Sequence, residues 1–84
     1  MTRDQLLEVL REAIVTVLVC DPAAVVPEAH LQDDLDADSL ALVEVIMAVE
    51  DRLDITVPEE DLKGITTVAA ALDLLEAKVA VGAS

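Results

Sequence analysis

The residue in this chain best placed to do chemistry is Ser39, in the stretch Asp34-Leu35-Asp36-Ala37-Asp38-Ser39-Leu40. Apolar residues resume at helical spacing directly after it. The spacing therefore predicts a helix over Ser39 to Leu53 with Asp38 as its N-cap. The first turn of a helix presents backbone N–H groups without intrahelical partners, together with the positive end of the helix dipole. A phosphate is favoured there. A serine hydroxyl at that point, reached after a long loop, is accessible and can carry a covalently attached phosphate. The same triplet, Asp-Ser-Leu, taken alone more often does nothing beyond capping its helix.

The predicted helix carries more apolar surface than one buried face needs. Leu42, Ile46, Val49 and Leu53, with Val45 beside them, form an ordinary core stripe. Leu40, Val43 and Met47 form a second strip, displaced around the helix and bordered by Glu44, Glu50 and Asp51. Two readings stand: deeper burial than usual in so small a domain, or a docking surface rimmed by acid. A methionine in an exposed apolar strip suits repacking against several partners.

The remaining elements must hold this helix in place. Thr2 followed by Gln5 has the form of a capping box, and Leu6, Leu7, Leu10, Ile14, Val17 and Leu18 follow at helical spacing. A first helix is expected from about Arg3 to Val19, stopped by Asp21-Pro22, although its β-branched last turns also allow a strand. Cys20 to Asp38 is a long connection, with Val26, Leu31 and Leu35 as its expected anchors to the core and a short turn near Pro27 to Leu31. Asp54 to Val57 connects onward. Pro58 to Lys63 reads as a short helix stopped by Gly64. Thr66 or Thr67 then caps a last helix carrying Val68, Leu72, Leu75 and Val79, ending before Gly82, with Gly82 to Ser84 as a frayed tail. The expected fold is all-α: a small four-helix bundle of three longer helices and one short one, with a long loop between helices one and two, in one domain over residues 1–84.

Composition narrows the function. The chain has 84 residues, is 55% apolar and contains no Phe, Tyr or Trp, so its core is aliphatic. An aliphatic core opens for an inserted chain at lower cost than an aromatic one. The formal charge of −13 repels nucleic acid and anionic membrane and steers the chain toward basic protein partners. Self-repulsion of that charge also weakens the compact state, so salt or divalent cations are expected to stabilise it. Cys20 has no second cysteine to pair with, which fits a reducing cytosol, and it reads as a small buried hydrophobe. The first residues lack the order of a signal peptide, and the apolar run Ala13 to Cys20 is too short to span a bilayer. Acids at alternate positions also begin an EF-hand calcium loop. Here Ser39 stands where that loop needs Gly and Val45 where it needs Glu, and a Pro-containing loop precedes it in place of a helix. His30 is the one histidine and reads as a surface residue among acids. No nucleophile–base–orienter set, metal cluster or Gly-rich phosphate loop is legible, so neither a catalytic residue nor a metal ligand is assigned.

Several segments together carry a resemblance. Asp34 through Glu50, then Ile55-Thr56-Val57-Pro58-Glu59-Glu60, then Ile65-Thr66-Thr67-Val68 resemble the acyl carrier protein family in order and separation, over about Val26 to Leu75. The Asp before Ser39 looks like carriers of acyl chains; peptidyl carriers usually have Gly-Gly ahead of that serine. The family usually has Gly where this chain has Asp36. The resemblance implies that Ser39 bears a 4′-phosphopantetheine arm taken from coenzyme A by a separate phosphopantetheinyl transferase, with the transferase's Mg²⁺ neutralising charge and Asp38 contributing to recognition. It implies a cytoplasmic, monomeric carrier that catalyses nothing itself. Such a carrier holds acyl intermediates as thioesters for acyltransferases, ketosynthases and other basic-surfaced enzymes of fatty-acid or polyketide-type biosynthesis. Leu40, Val43, Glu44, Met47, Glu50 and Asp51 are then the expected partner surface. The competing expectation is an acidic helical interaction module with no prosthetic group.

Overall fold

The computed structural model describes residues 2–82. Three α-helices carry the fold: α1 at Arg3–Leu18, α2 at Ser39–Leu53 and α3 at Val68–Gly82, with 3₁₀ turns at Pro22–Ala24 and Glu59–Leu62. The expected short fourth helix is thus the 3₁₀ turn at Glu59–Leu62. It begins one residue after Pro58 and is closed by i→i+3 bonds such as Asp61 N–H to the Pro58 carbonyl at 3.0 Å. Four residues are too few to establish the i→i+4 pattern of an α-helix.

Each long helix starts where a local signal starts it. At α1 the Gln5 amide donates to Thr2 Oγ1 at 3.2 Å and the Thr2 amide donates to Gln5 Oε1 at 2.8 Å, the reciprocal pair of a capping box. At α2 the Ala41 amide donates to Asp38 Oδ1 at 2.8 Å. At α3 the Ala70 amide donates to Thr67 Oγ1 at 3.1 Å, so Thr67 rather than Thr66 is the cap. Two of the ends differ from expectation. α1 stops at Leu18 because Val19 turns left-handed, with φ of 53°. α3 runs through Gly82, where an end before that residue is expected from its sequence. Ala83 and Ser84 of the expected tail lie outside the described residues.

The core is aliphatic throughout. Leu6, Leu10 and Ile14 of α1 meet Val45, Ile46 and Val49 of α2 and Val68, Leu72 and Leu75 of α3. Of the expected α2 stripe, Leu42 and Leu53 are only half-buried at its two ends. The long loop is anchored by Leu31 and Leu35, as expected, but the third anchor is Val25 and not Val26, which stays 38% exposed. The Pro22–Ala24 turn sets that register, and Arg11 fixes it by donating from Nη2 and Nε to the Val25 carbonyl at 2.9 and 3.3 Å. The loop is then stitched to the start of α3: Leu31 N–H to the Thr66 carbonyl at 2.9 Å, Val68 N–H to the Ala29 carbonyl at 3.0 Å and Ala69 N–H to the Pro27 carbonyl at 2.9 Å. Those bonds satisfy backbone groups that a loose loop would leave to water.

Ion pairs tie the helix surfaces together. Arg52 of α2 meets Glu12 of α1 at 2.6 Å. Arg3 meets Glu76 at 2.6 Å and Asp73 at 2.9 Å on α3, and the two carboxylates, Glu76 foremost, raise the guanidinium above its ordinary range. Lys78 meets Asp61 of the 3₁₀ turn at 2.8 Å, and Arg11 pairs with Glu8. Pairs this exposed add little stability singly.

Candidate functional site

The site is the start of α2 and the loops that converge on it. The chain comes down the long connection with Leu35 and Ala37 buried and reverses between them at Asp36, whose φ is 61°. A left-handed backbone is the conformation that favours Gly. Asp is among the few other residues that tolerate it, and here its side chain points out to water. The Ala37 amide donates to the Leu31 carbonyl at 2.8 Å, closing the turn. Asp38 follows in extended conformation as the N-cap, and Ser39 is the first residue of the helix. Both are exposed.

Asp38 occupies one orphan amide of the helix start through Ala41, and the Leu42 amide bonds the Asp38 carbonyl at 2.9 Å. The amides of Ser39 and Leu40 have no hydrogen-bond partner among the described residues, and neither does the Ser39 side chain. A hydroxyl facing water beside two unpartnered amides fits a serine-linked phosphodiester, because those amides are the donors that such an anion lacks elsewhere on an acidic surface. Of the acids upstream, Asp34 is engaged, while Asp33 and Asp36 are exposed. Asp34 Oδ2 accepts from the His30 amide at 2.7 Å and lies 3.4 Å from His30 Nδ1. His30 itself is exposed, bridged through its backbone to Thr67.

Two hollows flank Ser39. One, of about 560 Å³, lies between the loop at His30 to Asp33, the start of α2 and the segment Leu62 to Thr66. The other, of about 400 Å³, lies between α2 and Glu59 to Lys63, with Val43 in its wall. Ser39, Leu42, Leu62 and Lys63 line both. Residue pattern alone singles out none of the 62–66 segment as part of the site. The one signal there is a lysine in an acidic stretch, followed by the Gly64 that turns the chain at φ of 85°.

The expected partner residues fall into two groups. Leu40 is 69% exposed and Met47 59% exposed, and Glu44 and Asp51 are exposed on the same helix face. Val43 and Glu50 lie on the shoulder of the helix and are half-buried. Val43 packs against the core, and Glu50 Oε2 accepts from the Val57 amide at 2.9 Å, so this carboxylate holds the connector after α2. Asp51 continues the exposed face and also edges a third hollow, of about 590 Å³, between α1 and α2. Cys20 is half-buried and packs on the core.

The phosphopantetheine attachment site family matches residues 8–75. The acyl carrier protein of Petrotoga mobilis is 44% identical over 79 residues, which cover 94% of this chain and 93% of that protein. The acyl carrier protein of Thermosynechococcus vestitus is 40% identical over 80 residues, covering 95% of this chain and 99% of that protein. A solved structure of acyl carrier protein from Enterococcus faecalis matches with a TM-score of 0.72 at 29% identity, over 93% of this chain and 99% of that one. A module without a prosthetic group is thereby set aside. An attachment domain over most of the chain, in relatives matched nearly end to end, makes this protein a member of the acyl carrier protein family, a carrier rather than an enzyme, whose working group is a covalently bound 4′-phosphopantetheine.

Proposed function

We propose that Ser39 is the attachment residue and that residues 1–84 form a single, monomeric cytoplasmic carrier domain for acyl intermediates of fatty-acid or polyketide-type biosynthesis. The observation that carries the reading is the exposed Ser39 side chain at the first position of α2, beside the unpartnered amides of Ser39 and Leu40.

A phosphopantetheinyl transferase supplies the catalysis. Ser39 Oγ gives its proton to a base of the transferase and forms a bond to the β-phosphorus of coenzyme A. The bond from that phosphorus to the bridging oxygen breaks, and adenosine 3′,5′-bisphosphate leaves. A Mg²⁺ held by the transferase would neutralise the leaving charge. Asp38 serves twice: its Oδ1 fixes the first turn of α2 and its exposed carboxylate offers the transferase a recognition point. The bound arm supplies a thiol on which acyl groups ride as thioesters.

Acyltransferases, ketosynthases and other biosynthetic enzymes meet the exposed side of the same helix. Leu40 and Met47 form the apolar centre, with Val43 beneath them, and Glu44, Asp51 and Glu50 supply negative charge to basic partner surfaces. Such contacts are small and electrostatically steered, which suits a carrier that must leave each enzyme in turn. Incubation with coenzyme A and a promiscuous transferase, followed by intact mass measurement, tests the attachment. One phosphopantetheine is expected on the wild type and none on Ser39→Ala; full labelling of that variant overturns the assignment.

A further inference from the structure

A phosphodiester at Ser39 adds negative charge to a chain already at −13, with Asp38 beside it and Asp33, Glu59 and Glu60 on the walls of the two hollows. The Ser39 and Leu40 amides offset part of that repulsion, and a nearby cation is needed for more. The chain has five Lys and Arg residues. Arg3, Arg11, Arg52 and Lys78 each pair with acids that bind the helices to one another or to the 3₁₀ turn, or, for Arg11, with Glu8 on its own helix. Lys63 is the exception: it makes no ion pair among the described residues, it is exposed, and it lines both hollows that Ser39 lines. His30 borders one of them but faces Asp34.

We propose that Lys63 is the counter-ion of the phosphodiester in the loaded carrier and positions the root of the arm between α2 and the Glu59–Leu62 turn. The proposal rests on Ser39 being the attachment residue. Lysine has the right properties for this role. Its flexible stem reaches an anion without a fixed angle, and its ammonium releases that anion readily when a partner enzyme offers stronger cations. A Lys-to-phosphate contact at this exposure is weak and salt-sensitive, so the arm is biased toward this side and not locked there.

The chain has two lysines, Lys63 and Lys78, so their side-chain NMR signals are told apart by one substitution. Carrier with and without the arm is compared at low salt, with intact mass recorded for each sample. Loading is expected to shift the Lys63 side-chain signal and leave Lys78 in place. The ³¹P signal of the phosphodiester is expected to move in Lys63→Gln, to stay near wild type in Lys63→Arg, and to be unchanged in Lys78→Gln. Raising the salt concentration is expected to erase the difference between Lys63→Gln and wild type. Fully loaded protein whose Lys63 and ³¹P signals ignore both the arm and the substitution overturns the proposal. Absence of arm mass on Ser39 refutes the attachment reading itself, and the Lys63 contact falls with it.

Discussion

The two ends of α2 are built from similar residues and used differently. At its C-terminal end most polar residues are committed to the fold, Asp51 excepted. Arg52 reaches Glu12, Glu50 accepts the Val57 amide, and Asp54 caps the helix with φ of 55°. At its N-terminal end the polar groups are left over: the Ser39 hydroxyl, two amides, the Glu44 carboxylate and, across the hollow, the Lys63 ammonium. The apolar residues divide by face, with Val45, Ile46 and Val49 buried and Leu40 and Met47 facing water. One helix thus serves as strut where its groups are paired or buried and as working surface at its open start and along its exposed face. Stability and function should separate along its length.

The largest expected separation comes from Ser39→Ala. Loading should vanish in the mass spectrum while the melting temperature stays close to wild type, because an exposed surface change typically costs less than about 0.5 kcal/mol. Loss of loading accompanied by unfolding would mean that the N-terminal end is structural after all. Glu50→Lys should behave in the opposite sense. It removes a charged acceptor from a half-buried amide, at a cost of about 1.5–3 kcal/mol read by urea unfolding, with loading retained. Glu44→Lys, nearer the N-terminal end on the exposed face, should leave unfolding almost unchanged yet slow turnover by a partner enzyme several-fold and flatten its salt dependence. Equal stability losses at Glu44 and Glu50 would erase the distinction between the exposed face and the shoulder.

Backbone strain sharpens the comparison further. Asp36 before α2 and Val19 after α1 both hold left-handed φ angles without being glycine, and Val19 is β-branched and 87% exposed. Replacing either by Gly relieves about 1–2 kcal/mol of strain and returns some of it as unfolded-chain entropy. A net gain of about 0.5–1 kcal/mol is expected at each, larger at Val19, by thermal or urea unfolding. The smallest effect is global: moderate salt should raise the melting temperature by roughly a few degrees as the self-repulsion of the acidic surface is screened. A flat response would show that self-repulsion of that surface does not limit stability.

The helix starts were legible because their causes are local. Thr2 with Gln5, Asp38 before Ser39 and the Thr66-Thr67 pair before Val68, of which the structure selects Thr67, each act within three residues, and the periodic apolar residues after them name the buried faces. The same locality put Ser39 at a helix start and made its surroundings recognisable. Distinctions that depend on partners far away in sequence were not legible. Val25 rather than Val26 enters the core because the Pro22–Ala24 turn sets the register and Arg11 of α1 binds the Val25 carbonyl. Glu50 holds Val57 across the connector while Glu44 remains open, although both read equally as surface acids. Residue type and spacing, then, determined the elements, the acidic aliphatic character and the serine. Only the tertiary packing decided which charges were already paired and which stayed available around Ser39, because pairing depends on distances across the fold that no local pattern encodes.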